Sequence, residues 1–451
     1  MTVATHNKDL LYGLNDKPGV PQSIAAAVQH VLASFVGIIT PTLVIGFALG
    51  LQSEIPYLIS MALFVSGIST FIQVKTFGPI GCGLIAVQGT SFAFLGSILA
   101  AGGIAKARGG GPDDIIALII GVCFFGAFVE IFLSQFIGRL RRILTPLVTG
   151  IVITTIGLSL IKLAMTDMAG GFGSDDFGSP VNLALSGGVL IIIIAMSASN
   201  NAWLRLSAII IGMLVGCIAA WFTIGLSFEH LTGLPAVAVP QPFKYGFAFD
   251  WGAFIPIAII YLLTTLETSG DLTANSLFCQ LPVSGPEHRK RLEGGILADG
   301  VNSLIAATLN TFPNTTFGQN NAVIQMTGVA SRWVGYYVAG LLVLLGLFPI
   351  IGGLVQAMPK PVLGGATLIM FGTIAAAGIR IIASETMDRR KMLITATSFG
   401  LSLGLMMVPE VLNQAPTLIQ NIFGSTVSTA GLTAIIMVLL IPENSISEAD
   451  Q

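Results

Sequence analysis

Long stretches without a charge constrain this chain more than any other feature. No Asp, Glu, Lys or Arg lies between Lys75 and Lys106, between Arg332 and Lys360, or between Glu410 and Glu443. Runs of that length fit repeated helical crossings of a bilayer, each about 20 apolar residues long. A large soluble α/β core could also be apolar, but its surface would need far more charge than the 9% present here. The expected class is therefore an all-α polytopic membrane protein, consistent with a mean hydropathy of +0.87.

The N-terminal residues show no short apolar core followed by a small-residue cleavage site, so no removable signal peptide is expected. Cys82, Cys123, Cys217 and Cys279 are widely separated, without metal-ligand spacing or a disulfide framework, and read as small apolar residues. A net charge of −2 gives no basis for a nucleic-acid partner. P-loop, HExxH and Gly-x-Ser-x-Gly patterns are absent in usable form, which argues against an intramembrane hydrolase or an ATP-driven pump. Neither a cofactor nor a metal is expected.

About 14 segments can be placed, beginning near residues 22, 55, 80, 114, 143, 182, 206, 252, 292, 316, 333, 362, 391 and 428. Basic residues collect after the even-numbered ones: Lys75, then Arg139, Arg141 and Arg142, then Arg205, then Arg289, Lys290 and Arg291, then Arg332, then Arg389, Arg390 and Lys391. The opposite loops hold only scattered bases, namely Lys106, Arg108, Lys244 and Lys360. This alternation puts both termini in the cytoplasm.

Segments 5 and 12 share a spacing, Pro146, Gly150, Gly157 against Pro361, Gly365, Gly372. Equivalent halves seven crossings apart are inverted, as in many secondary transporters; coincidence in a chain with 53 glycines is the competing explanation. The same offset relates segments 3 and 10, and both look broken. Segment 3 carries Pro79, Gly81, Gly83 and Gly89, and segment 10 starts from NTFPNTTFGQNN. Non-helical backbone at membrane depth is tolerated where it is buried in protein or lines a wet cavity.

Ionisable residues within the segments are few: His30, Glu130, Glu267, Asp271 and Asp299. Each costs roughly 2.5 to 3.5 kcal/mol at a helix centre, so each needs a cavity or a partner. Glu267 and Asp271 stand four residues apart, on one helix face, where like charges repel; this suits a group that takes up and releases a proton, unless one or both reach solvent at a helix end. His30, after Gln29, is either a hydrogen-bonded core histidine or part of a gate or proton path. Asp299 lies among small residues that permit close helix approach, where an unpaired carboxylate would be costly. Glu130 lacks polar neighbours and reads as an interhelical hydrogen-bonding group outside the site. Against this background the adjacent amides Gln319, Asn320 and Asn321 are a concentration of hydrogen-bonding capacity.

QNNAVIQMTGVASR (319–332) resembles the signature motif of the nucleobase-ascorbate transporter family, also called nucleobase:cation symporters. QH (29–30), QGTSF (88–92), LETSGD (266–271) and LADG (297–300) accompany it in order. The likeness runs over nearly the whole chain, towards bacterial xanthine permeases. It implies 14 segments in two inverted seven-segment repeats, with short extended stretches in segments 3 and 10. It also implies a core domain of segments 1–4 and 8–11 (22–135 and 251–359) and a gate domain of segments 5–7 and 12–14 (136–250 and 360–442). Tails at 1–21 and 443–451 and a homodimer complete that picture.

By resemblance, Glu267 is the substrate-binding carboxylate, Gln319 contacts the purine edge and Asn320 follows it, with Ser91 and Phe92 beside them. Asp271, Asp299 and His30 match groups of proton coupling or gating, and Thr327, Gly328 and Arg332 the end of the motif, where specificity is tuned. Asn321 is expected to satisfy backbone groups. Ala322 departs from the usual glycine, and Ser91 stands where some xanthine carriers have asparagine, which leaves xanthine and urate unseparated. The implied function is proton-coupled import of xanthine across the bacterial inner membrane, with lipid as surroundings. A urate or broader purine/uracil symporter, a passive uniporter or channel, and an intramembrane enzyme are the alternatives.

Overall fold

The structure is a computed structural model and describes residues 10–137, 145–226, 228 and 231–441. Arg139, Arg141, Arg142, the expected start near 143 and the tail 443–451 fall outside the described residues.

Helix α1 (Val20–Leu49) and α2 (Ile55–Lys75) lead to a strand β1 (Gln88–Thr90), a 3-10 turn (Phe92–Phe94) and α3 (Leu95–Ala107). Helices α4 (Pro112–Ser134), α5 (Pro146–Met168), α6 (Pro180–Ser197) and α7 (Ala202–Thr223) follow. The second half has α8 (Trp251–Phe278), α9 (Gly285–Thr308), strand β2 (Asn314–Thr316), α10 (Gln319–Thr327), α11 (Arg332–Gly346) and α12 (Pro349–Gln356). It closes with α13 (Lys360–Ala383), α14 (Arg389–Met407), α15 (Thr417–Phe423) and α16 (Thr426–Leu440).

Helix starts follow local chemistry. Proline occupies the first turn of α4, α5, α6 and α13, where its missing N–H costs nothing. Thr145, Ser179, Asp250 and Asp388 accept hydrogen bonds from first-turn N–H groups of α5, α6, α8 and α14.

Among the described residues eight helices are long and apolar enough to cross a membrane, or nine if α11 and α12, bent by 74°, form one span. This is fewer than the fourteen starts read from the sequence, for identifiable reasons. The segment-3 and segment-10 regions hold only short helices behind a strand, α9 and α14 open with the basic runs HRKR and RRK, and α16 is short.

Helix α5 packs along α13, α2 along α11, and α4 along α9. Small residues let the backbones meet, as expected where lipid removes the hydrophobic incentive for helix association. Gly157 sits against the backbone of Phe371 and Ala375, and Gly378 against Thr154 and Gly150. The shared proline–glycine spacing does not have matching packing roles, however: Gly365 meets α6 at Ser186, and Gly372 faces open space.

Among the described residues, two of the four scattered bases form ion pairs. Arg108 pairs with Asp250 at 2.7 Å and Lys244 with Glu54 at 3.1 Å, fastening the α7–α8 connection over the ends of α2 and α3. The Arg108 hydrogen bond, then the cap to Ala253, hold the Asp250 carboxyl below the usual carboxylate range.

Candidate functional site

The site is built around a two-stranded antiparallel sheet, β1 against β2, with Gln88 opposite Thr316, Gly89 opposite Thr315 and Thr90 opposite Asn314. Strands are viable at this depth because they satisfy each other. Ser91 N donates to Pro313 O at 2.9 Å and Phe317 N to Val87 O at 2.9 Å, extending the pairing at both ends. A β-carbon on Gly89 would collide with Phe317 and Ile38, so only glycine permits this approach.

Each strand runs into a short helix. After β1, Ser91 caps the 3-10 turn, its Oγ accepting from Ala93 N at 3.3 Å. Phe92 is buried and meets Phe371 of α13 edge-to-face at 5.5 Å. After β2, Gly318 precedes α10, whose first three residues are the amides. A β-carbon on Gly318 would crowd the Asp271 carboxylate, so α8 and the start of α10 are in direct contact.

The polar residues then separate into two groups. Asp271 accepts from Thr316 Oγ1 at 3.2 Å, and its backbone carbonyl accepts from Asn321 Nδ2 at 3.1 Å. Asn320 is buried, its Nδ2 lying 3.0 Å from His30 Nδ1 and 3.2 Å from His30 O, which ties α10 to α1. Asp299, fully buried on α9, accepts from Gln73 Nε2 of α2 at 2.8 Å and from Thr268 Oγ1 of α8. Gln73 also donates to Gly295 O and accepts from Cys82 N, and Thr268 reaches Thr315 of β2 at 3.3 Å. Asp299 is thus a tie between α2, α8 and α9, made through Thr268, the chain neighbour of Glu267.

Glu267 and Gln319 form the second group. Both are half-buried, and among the described residues neither side chain makes a hydrogen bond to protein. Glu267 lies one turn along α8 from Asp271, which touches Gly318, and Gln319 is the next residue of α10. A carboxylate and an amide at the α8–α10 contact, near the positive end of α10, therefore have unused hydrogen-bonding capacity, to which the buried Asn320 Oδ1 and His30 Nε2 add two further atoms without a partner.

The end of the motif lies elsewhere. Thr327 donates to Val323 O at 2.8 Å, and Gly328 caps α10 with φ +68, a left-handed conformation suited to glycine. Arg332 begins α11, and its N donates to Leu14 O at 3.0 Å. Residues 12–16 of the expected tail pair with this turn: Tyr12 N donates to Gly328 O, and Ala330 N to Tyr12 O. Ala322 is an exposed helical residue without a positive φ, so the glycine it replaces is not needed for backbone freedom. Glu130 is buried on α4 with no partner for either carboxylate oxygen. Gln73, Thr268 and Thr316 were not singled out from sequence; the signal for Gln73 was a lone amide in the apolar run FIQVK.

Comparisons with known proteins specify the class of multi-pass membrane protein in which this carboxylate and amide occur. A family model described as a permease family matches residues 21–411. The chain is 45% identical to the xanthine permease XanP of Escherichia coli K12 over 97% of this chain and 96% of that protein. It is 43% identical to XanQ of the same organism over 96% and 94%, and 31% identical to the xanthine permease of Bacillus subtilis over 93% of both. The chain belongs to the nucleobase-ascorbate transporter family, and is a permease, not an enzyme. Its fold is similar to the transmembrane domain of the cyanobacterial bicarbonate transporter BicA (TM-score 0.61, 16% identity, 91% of this chain and 99% of that one). It is also similar to murine Slc26a9 (TM-score 0.57, 10% identity, 89% and 69%).

Proposed function

We propose that this protein imports xanthine together with protons across the bacterial inner membrane by alternating access. One observation carries the reading: Glu267 and Gln319 make no side-chain hydrogen bond among the described residues, whereas Asp271, Asp299 and the amide nitrogens of Asn320 and Asn321 are engaged. Glu267 accepts two purine N–H groups, and Gln319, both donor and acceptor, pairs with a carbonyl and a ring N–H. The names and identities of the relatives support xanthine as the substrate. Asp271, held between Thr316 and Gly318, sits where a proton taken up by the site would alter the α8–α10 contact; Asp299 and His30 with Asn320 orient the surrounding helices. The Thr327, Gly328 and Arg332 turn tunes specificity from outside the crevice.

In this reading 14 segments form two inverted repeats. A core (22–135, 251–359) moves against a gate (136–250, 360–442), with the Phe92–Phe371 contact between them, in a homodimer with both termini cytoplasmic. Ser91 supports a second substrate, urate, because a small hydroxyl leaves room that a larger amide would fill.

Uptake of labelled xanthine in a purine-transport-deficient host tests the proposal, with urate, guanine, hypoxanthine and uracil as competitors. Accumulation should collapse with a protonophore and resist excess uracil. Strong uracil competition would contradict the purine assignment. Concentrative uptake that survives a protonophore in sodium-free medium would contradict proton coupling, and uptake that never exceeds equilibrium would indicate a passive uniporter.

A further inference from the structure

Outside the site, an apolar groove of ≈ 340 Å³ runs between α1 and α11, lined by Ile24, Tyr336, Tyr337, Gly340, Leu341 and Leu344. Ile24 and Leu344 are exposed, and a β-carbon on Gly340 would meet nothing within 4 Å, so the groove opens to the surroundings. From Trp333 to Leu344 the α11 face extends roughly 16 Å at 1.5 Å per residue, about one leaflet of a 30 Å hydrocarbon core.

One end of the groove is both aromatic and basic. Trp333 packs on Tyr336 at 5.5 Å, Tyr336 on Phe71 at 5.6 Å, and Phe71 on Phe77 at 6.0 Å. Lys17 Nζ lies 4.3 Å from the Trp333 ring centre, Lys75 ends α2 one turn beyond Phe71, and Arg332 begins α11. Asp16, whose carboxylate accepts from Gly13 N at 2.7 Å, is outnumbered by Lys17, Lys75 and Arg332. Aromatic rings and bases at one end of a leaflet-length apolar channel match a lipid, with rings at headgroup level and cations towards an anionic head.

We propose that this groove binds one acyl chain of an anionic phospholipid, whose phosphate is met by Lys17 and Lys75. The lipid would bear on transport through backbone already in contact: the segment carrying Lys17 is paired with residues 328–332 through Tyr12 and Leu14, and Ser331 Oγ donates to Asp16 O. A headgroup holding Lys17 beside Trp333 would secure that segment against the turn joining α10 to α11.

The test uses the purified full-length protein, with phosphatidylglycerol and phosphatidylcholine as probes, read by native mass spectrometry and thermal unfolding. It does not depend on the transported substrate. Wild type should retain phosphatidylglycerol and unfold at higher temperature with it than with phosphatidylcholine. Lys17→Ala should weaken phosphatidylglycerol binding about fivefold, the equivalent of about 1 kcal/mol per surface cation. Gly340→Leu fills the groove from an open position and should remove the bound lipid while far-UV circular dichroism stays unchanged. Equal retention of both lipids by wild type, or wild-type phosphatidylglycerol affinity in both variants, would overturn the proposal. So would a Gly340→Leu protein that changes its monomer–dimer balance and keeps its lipid, because the groove would then seat a second copy.

Discussion

The two strand-to-helix arms make the same turn with opposite chemistry. After β1 the chain presents Ser91, Phe92, Ala93 and Phe94 and enters an apolar helix; after β2 it presents Gly318 and three amides. The strands need each other for backbone hydrogen bonds, so geometry is shared between the arms. Recognition is not. The β2 arm meets the acidic face of α8, whereas the β1 arm packs Phe92 on α13. In the proposed reading one arm offers polar contacts to a ligand, and the other gives it a wall.

The strongest way to break this comparison is at Glu267. Glu267→Gln should lower xanthine uptake roughly 100-fold at unchanged membrane abundance, because two charge-assisted hydrogen bonds of about 1.5 kcal/mol each are weakened. Near-normal uptake would remove α8 from recognition. Gln319→Ala should raise the apparent KM about tenfold, the loss of a neutral hydrogen-bonding pair.

Asn320→Ala separates recognition from scaffolding within the β2 arm. Its amide is engaged with His30, so the expected result is a loss of about 1 kcal/mol in thermal stability and a lower maximal rate, with a smaller change in KM than Gln319→Ala. A KM change equal to that of Gln319→Ala would put Asn320 on the ligand.

On the β1 arm Ser91→Ala should change xanthine KM by less than about threefold, since a hydroxyl already accepting from Ala93 N contributes under about 1 kcal/mol. Its informative readout is competition by urate, which should shift if this arm bounds the ligand's width.

The smallest effect lies far from both arms. Asp250→Ala removes the α8 cap and should cost about 1 kcal/mol, with little from the exposed partner Arg108. The folded-state carboxyl titrates below its unfolded value. Its contribution is therefore present above the usual carboxylate range and lost as pH falls through the folded value. The difference in unfolding temperature between wild type and variant should narrow in acid.

Much of this polar cluster was legible beforehand, for physical reasons. Acids and adjacent amides are costly in apolar segments, so Glu267, Asp271, Asp299 and the 319–321 amides stood out at once, and the prolines and glycines around residues 79–89 and 313–318 marked both interruptions. Which polar groups are free was not legible. Asp299 and Asp271 look alike in sequence, yet Asp299 is tied to Gln73, 226 positions away, and Asp271 to Thr316, 45 positions away. Gln319, Asn320 and Asn321 are three neighbours of two residue types. Helix rotation alone sends Asn320 to His30 and Asn321 to the Asp271 carbonyl, leaving Gln319 unengaged.

By itself, then, the sequence determined that the chain enters a membrane, where its backbone must break, and which side chains are too polar to be there without a task, because transfer costs attach to residue types. Only the tertiary structure decided which of them are already engaged, because a hydrogen bond satisfied from a distant helix makes a candidate ligand group a tie between helices.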